Sequence, residues 1–249
     1  MTVTFPLRVR PVILLFGDSI TQQSFGVDGN VGWASLLASD YVRRADVLNR
    51  GFSGYTTRHA LEMIPRVFGK PTEEGILFCT IFFGANDASL PRQLQHVPLE
   101  EYEENLVKII KSVREHTDEP NLPIIILTPP PIDKFSWDKY CQENFGDPDG
   151  GRNNTTTKTY GETAKAVAKE NKCSALDIFE LLDGDGTNYG KHLIDGLHMN
   201  QSGNTLIYNG LMKHIRSIYP HLAPMGGDGQ NETQGLPIEE KLWPDLFPC

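Results

Sequence analysis

Short apolar runs alternating with helix-patterned segments are the feature that most restricts what this chain can fold into. Val12-Ile-Leu-Leu-Phe16, Asp46-Val-Leu-Asn49, Leu77-Phe-Cys-Thr-Ile-Phe-Phe83 and Pro123-Ile-Ile-Ile-Leu127 each read as a strand, and Ala175-Leu-Asp-Ile178 as a short fifth. Between them lie stretches with helical spacing. Trp33, Leu36, Leu37 and Tyr41 share one face of a helix expected over Trp33 to Arg44, and Thr56 is placed to cap another through Ala60, Leu61, Ile64 and Val67. Pro98 starts a third that runs to about His116, with Glu100, Glu101, Glu103 and Glu104 near its positive end. Further helices are expected from about Lys158 to Asn171 and from about Gln201 to before Pro220. Strands joined by helical crossovers must run parallel. The expected fold is therefore α/β, a three-layer α/β/α sandwich with a central, mostly parallel five-stranded sheet. Leu77 to Phe83 is the most apolar run and belongs at its centre.

A chain of 249 residues fits one domain of this class, with a core over about 12–219 and a tail over 220–249 that is rich in Gly, Pro and acidic residues past Met225. From Ile132 to Thr157 no period holds, and Gly, Asp, Asn and Pro predominate; this reads as a surface excursion, a flap beside a site. The formal net charge of −9, with no basic run longer than Arg43-Arg44, argues against a nucleic-acid partner. No stretch approaches the ~18 apolar residues of a membrane span, and Met1 to Arg10 lacks the apolar segment of a signal peptide. Cys79, Cys141, Cys173 and Cys249 show neither C-x-x-C spacing nor a dense framework, so a cytoplasmic setting is expected. Glycosylation triplets begin at Asn153, Asn154, Asn200 and Asn231, and such triplets also arise by chance.

The chemistry-bearing residues sit just past strand ends, where parallel α/β sheets build their sites. Ser19 follows the first strand within Gly17-Asp-Ser-Ile-Thr21, which exposes a hydroxyl and an amide; Ser and Asp there also suit a plain turn cap. Gly51-Phe-Ser-Gly54 follows the second strand, and Gly54 can present its amide to a developing oxyanion or simply make a glycine-rich turn. Ser53 is a rival nucleophile without G-x-S-x-G spacing. Gly84-Ala-Asn-Asp87 follows the third strand and offers the Asn86 side-chain amide, or an Asx-turn. Asp195-Gly-Leu-His198 supplies a carboxylate three residues before an imidazole, a base with its orienting group. Asp-x-x-His also suits a metal, but no nearby residues offer an obvious third ligand. With neither a P-loop nor G-x-G-x-x-G after the first strand, a nucleotide-binding flavodoxin-like protein lacks its phosphate cradle.

Together these blocks resemble the SGNH hydrolases, the GDSL-type lipases and esterases. Ser19, Gly54, Asn86 and His198 match the family's four residues in order, over about Val12 to Tyr219, with Ile20 where the family has Leu. The strings Asn49-Arg-Gly-Phe-Ser-Gly-Tyr55, Thr80-Ile-Phe-Phe-Gly-Ala-Asn-Asp87 and His96-Val-Pro-Leu-Glu-Glu-Tyr102 resemble the isoamyl acetate-hydrolysing esterase subfamily. The resemblance implies a flavodoxin-like SGNH hydrolase fold and a cofactor-free, metal-free serine ester hydrolase acting on short-chain acyl esters. It implies a triad of Ser19, Asp195 and His198, and an oxyanion site formed by Ser19, Gly54 and Asn86. A deacetylase, thioesterase or acyltransferase would use the same triad, a non-catalytic binding module the same strand-end crevice, and association into homo-oligomers stays open.

Overall fold

The computed structural model describes residues 10–68, 75–225 and 235–236. Five strands, β1 (Val12–Gly17), β2 (Asp46–Gly51), β3 (Ile76–Phe82), β4 (Ile124–Leu127) and β5 (Ser174–Leu176), form one sheet in the order β2-β1-β3-β4-β5. Every pairing is parallel. β3 is central, as its continuous apolar run requires.

Eight α-helices occur among the described residues: α1 (Ser19–Gln22), α2 (Trp33–Asp40), α3 (Thr57–Val67), α4 (Leu99–Thr117), α5 (Lys134–Phe145), α6 (Asn154–Glu170), α7 (Ile178–Leu181) and α8 (Gln201–Ile218). They cover both faces of the sheet because successive strand residues point to opposite sides. Ile13, Leu15, Phe78, Phe82, Ile125 and Leu127 pack in one cluster with residues of α2, α5 and α8. Leu14, Phe16, Cys79, Ile81, Ile124 and Ile126 pack in a second with residues of α3, α4 and α6. The result is the expected α/β/α layering around an entirely parallel sheet.

Register brings the functional loops together. Gly17 pairs with Gly51 on one side and with Phe82 on the other, so β1, β2 and β3 end level. The order places β2 and β3 on opposite sides of β1, and such a switch opens a crevice at the carboxyl ends of the strands.

Four local expectations need correction. α2 stops at Asp40, and Arg43 adopts a left-handed φ of 62° in the turn that follows, a conformation that breaks the helix despite its periodic residues. α6 begins at Asn154 because the Asn153 side chain accepts from Thr156 N at 2.8 Å, a cap that recruits the Thr run into the helix. The short fifth strand ends at Leu176, since Asp177 caps α7 by accepting from Glu180 N at 3.0 Å. The 132–157 stretch is not an unstructured excursion. It contains α5, whose Trp137 and Cys141, one turn apart, are buried against the core, and with only these two of its twelve residues buried while Phe135 and Phe145 are exposed, the periodic signal is weak. The Asn153, Asn154 and Asn200 side-chain oxygens all accept backbone hydrogens. Asn231, Cys249, most of the tail and residues 1–9 lie outside the described residues. Leu236 returns to bond Ala223 O and Met225 N, and Arg44 donates to the carbonyls of both Leu236 and Met225.

Candidate active site

Ser19 is the first residue of α1. Asp18 caps that helix by accepting from Ile20 N at 2.9 Å, so the chain turns sharply from β1 into the helix with the Ser19 side chain on the crevice. The base arrives from the far end of the sequence. Leu193 and Met199 form an antiparallel bridge, and Ile194 N donates to His198 O at 2.8 Å, closing a tight loop around residues 194–198. Asn200 anchors this loop, since it caps α8 through Ser202 N and Gly203 N and donates to Lys191 O.

Asp195, His198 and Ser19 form a continuous hydrogen-bonded chain. Asp195 Oδ1 accepts from Leu197 N at 2.9 Å and His198 N at 2.8 Å, and Oδ2 lies 2.6 Å from His198 Nδ1. A carboxylate only accepts, so Nδ1 carries the imidazole hydrogen and Nε2 is left to accept from Ser19 Oγ, 2.8 Å away. Burial pushes the Asp195 carboxyl up, but the hydrogen bond and charge of His198 and the two backbone amides outweigh it and hold the group below the usual range. Asp195 is thus a fixed anion that sets the tautomer of its neighbour. Ser53 is exposed and its amide donates to Gln22 Oε1; the imidazole contact belongs to Ser19.

The other two expected residues stand on the adjacent strand ends. Gly54 has φ 79°, a left-handed geometry that favours glycine, and its carbonyl accepts from Gln95 Nε2 at 2.9 Å. Asn86 is 3% exposed, and its Nδ2 donates one hydrogen to Tyr55 O at 2.8 Å, leaving the second for another acceptor.

Buried charge surrounds this group. Burial raises the Asp18 carboxyl to about 7 and that of Asp87 to about 6, although Asp87 Oδ1 accepts from Thr57 N and Oγ1. Arg152 is buried behind Asn86 and donates from Nη2 to Asn86 Oδ1 at 3.0 Å. A cavity of about 520 Å³ opens beside the imidazole, walled by Val27, Phe135, Tyr140 and Ile194 with Lys139 and Glu143. Phe135 is 81% exposed, so the mouth presents an apolar wall to solvent. Trp137 lies below, its ring 6.3 Å from that of His198.

The structure joins Ser19, Asp195 and His198 in one hydrogen-bonded chain and sets Gly54 and Asn86 beyond the neighbouring strand ends, and it adds Arg152, Trp137, Gln95 and the α5 wall, which no sequence motif marked. One signal was present: Arg152 is the single basic residue between Lys139 and Lys158. No helix of the described residues is long and apolar enough to cross a membrane.

Known proteins match along most of the chain. The model of the GDSL-like Lipase/Acylhydrolase family matches residues 15–206. An isoamyl acetate-hydrolyzing esterase 1 homolog of Mus musculus is 42% identical over 238 residues, 92% of each chain. The isoamyl acetate-hydrolyzing esterase of Saccharomyces cerevisiae is 32% identical over 218 residues, 85% of this chain and 88% of its own. Among solved structures, a lipase/acylhydrolase from Enterococcus faecalis superposes with a TM-score of 0.63 at 26% identity, covering 83% of this chain and 96% of its own.

Proposed function

Since the chain belongs to the GDSL-like lipase/acylhydrolase family and is a carboxylic ester hydrolase, we propose that it cleaves short-chain acyl esters of small alcohols through an acyl-enzyme on Ser19. The observation that carries this reading is the unbroken relay from Asp195 through His198 to the Ser19 hydroxyl.

In the first step His198 Nε2 takes the Ser19 proton as Oγ attacks the ester carbonyl. The tetrahedral oxyanion is received by the backbone amides of Ser19 and Gly54 and by the second hydrogen of Asn86 Nδ2. Collapse breaks the bond to the alcohol oxygen, which leaves with the proton held on His198. Water then attacks the acyl-enzyme, gives its proton to the same nitrogen, and releases the acid as Ser19 regains its hydrogen. Asp195 stabilises the imidazolium formed in each half.

The substrate class is supported by the two relatives named for isoamyl acetate hydrolysis and by a cavity of about 520 Å³, a size suited to a small ester, whose lining mixes apolar side chains such as Phe135 and Ile194 with polar ones such as Gln23 and Ser136. We place the chain in the cytoplasm as one hydrolase domain, a setting in keeping with free thiols at Cys79, Cys141 and Cys173. The test is active-site labelling with a fluorophosphonate, read by peptide mass spectrometry, beside turnover of p-nitrophenyl esters of increasing acyl length. Labelling is expected at Ser19, with labelling and turnover both lost in Ser19→Ala and with acetate preferred over long chains. Adduct formation at Ser53, or undiminished turnover by Ser19→Ala, overturns the assignment.

A further inference from the structure

Arg152 sits in the glycine- and aspartate-rich stretch yet is only 4% exposed. The backbone before it is shaped for the insertion. Gly151 has φ 64° and accepts from Leu90 N at 2.7 Å, and a Cβ there would strike the Gln93 side chain. The guanidinium lies 5.2 Å from the Trp137 ring centre, and the Trp137 indole donates to Gly150 O at 3.1 Å. Arg152 thus enters the site's rear wall from outside the β1, β2 and β3 loops.

Its partners are the informative part. Nη1 donates to Ala85 O, and Nη2 donates to Asn86 Oδ1 at 3.0 Å and to Gln95 Oε1 at 2.8 Å. Gln95 passes the contact on, its Nε2 donating to Gly54 O at 2.9 Å. All three direct acceptors are neutral oxygens. No carboxylate touches the guanidinium; burial draws the group down to about 10, against the opposing charges of Asp18, Asp87 and Asp195, and leaves it charged at neutral pH. Packing alone would be served as well by an apolar side chain. An amide, by contrast, has two nearly isosteric ends, and here two neighbours tell them apart: the guanidinium, which only donates, takes the oxygen, and the Tyr55 carbonyl, which only accepts, takes the nitrogen. With Oδ1 held by the guanidinium and one Nδ2 hydrogen on Tyr55 O, the second Nδ2 hydrogen stays available to an incoming acceptor.

We infer that Arg152 is the positioning residue of the oxyanion site. It locks the Asn86 amide with nitrogen toward the reacting carbonyl and, through Gln95, holds the Gly54 peptide in the same frame. This rests on the reading of Asn86 and Gly54 as oxyanion donors.

A double-mutant cycle on the full chain tests it, with Asn86→Ala, Arg152→Met and the pair assayed on p-nitrophenyl acetate and rates normalised to fluorophosphonate-titrated sites. Asn86→Ala is expected to lower kcat about 10²- to 10³-fold. Arg152→Met, which removes charged hydrogen bonds but keeps the stem, is expected to lower kcat about 10- to 100-fold with KM little changed. On the Asn86→Ala background the Arg152 change should cost less than about threefold, because its effect passes largely through Asn86. Added guanidinium should restore turnover to Arg152→Ala and not to Asn86→Ala. Normal turnover by Asn86→Ala would sink the donor assignment itself. A damaged Asn86→Ala combined with fully multiplicative losses, or with Arg152→Met unchanged in kcat per titrated site, overturns the role of Arg152 alone. If Arg152→Met does not fold, Arg152→Lys enters the same cycle. It keeps the charge but not the planar fork, and wild-type kcat in that variant also overturns the inference.

Discussion

Asp195→Asn separates the orienting role of this residue from its contribution to the fold. The two oxygens of Asp195 have different duties. Oδ1 accepts from Leu197 N and His198 N at 2.9 and 2.8 Å, whereas Oδ2 accepts from His198 Nδ1 at 2.6 Å. An asparagine must therefore put its oxygen toward the two backbone amides. The opposite orientation sets an NH₂ against two N–H groups and gives up two hydrogen bonds worth about 1 kcal/mol each. In the favoured orientation the new NH₂ faces Nδ1, which must become an acceptor. The imidazole hydrogen then moves to Nε2, the atom 2.8 Å from Ser19 Oγ, and that nitrogen can no longer take a proton. The expected loss in kcat is about 10⁴-fold, as for the same change in other Ser-His-Asp triads, or about 5.4 kcal/mol of transition-state stabilisation. Fold stability should change little, because the loop keeps both backbone bonds. Initial rates on p-nitrophenyl acetate give the loss, and proton NMR should show the far-downfield Nδ1–H resonance disappear. A variant within about tenfold of wild-type kcat, with that resonance gone, would refute the tautomer reasoning.

Other outcomes follow from single residues. Asn200→Ala removes the acceptor for Ser202 N and Gly203 N at the start of α8 and should cost ~1 kcal/mol in urea unfolding; an unchanged midpoint would mean the cap contributes nothing. Asp18 has an ordinary value of 3.8 raised by burial to about 7, so in the window between them the folded state binds the extra proton and rising pH favours unfolding. Asp18→Asn, which keeps the cap oxygen, should therefore gain stability relative to wild type from about pH 4 to about pH 7 and run parallel above it; parallel curves throughout would contradict this. Phe135→Ala should raise KM severalfold for isoamyl acetate while leaving Tm unchanged, since the ring is 81% exposed; equal KM values would remove α5 from the substrate wall.

What could be read from the sequence was what local physics writes locally. The run Leu77 to Phe83 carries its burial in its composition, and it occupies the sheet centre. Ser19, Gly54 and Asn86 were legible because each follows a strand by two to four residues, and parallel register brings those ends level. Asp195 and His198 were legible as a pair within one turn. The rear of the site was not. Arg152 is buried by contacts with Ala85, Asn86 and Gln95, all more than fifty positions away, and nothing near it in the chain announces them. α5 escaped because it buries only Trp137 and Cys141. The α3 cap was anticipated at Thr56, but its reciprocal partner is His59, whose Nδ1 meets the Thr56 amide at 3.1 Å where Glu or Gln is the usual residue.

The distance along the chain between Ser19 and His198, 179 positions, has a consequence for synthesis. During translation the Ser19 hydroxyl emerges 179 positions before the imidazole it bonds. On the proposed mechanism, a growing chain thus carries a serine without its base until residue 198 has been added. Hydrolytic power then arises only once the 194–198 loop has been made and Asn200 at the start of α8 has anchored it, so shorter nascent chains attack no esters.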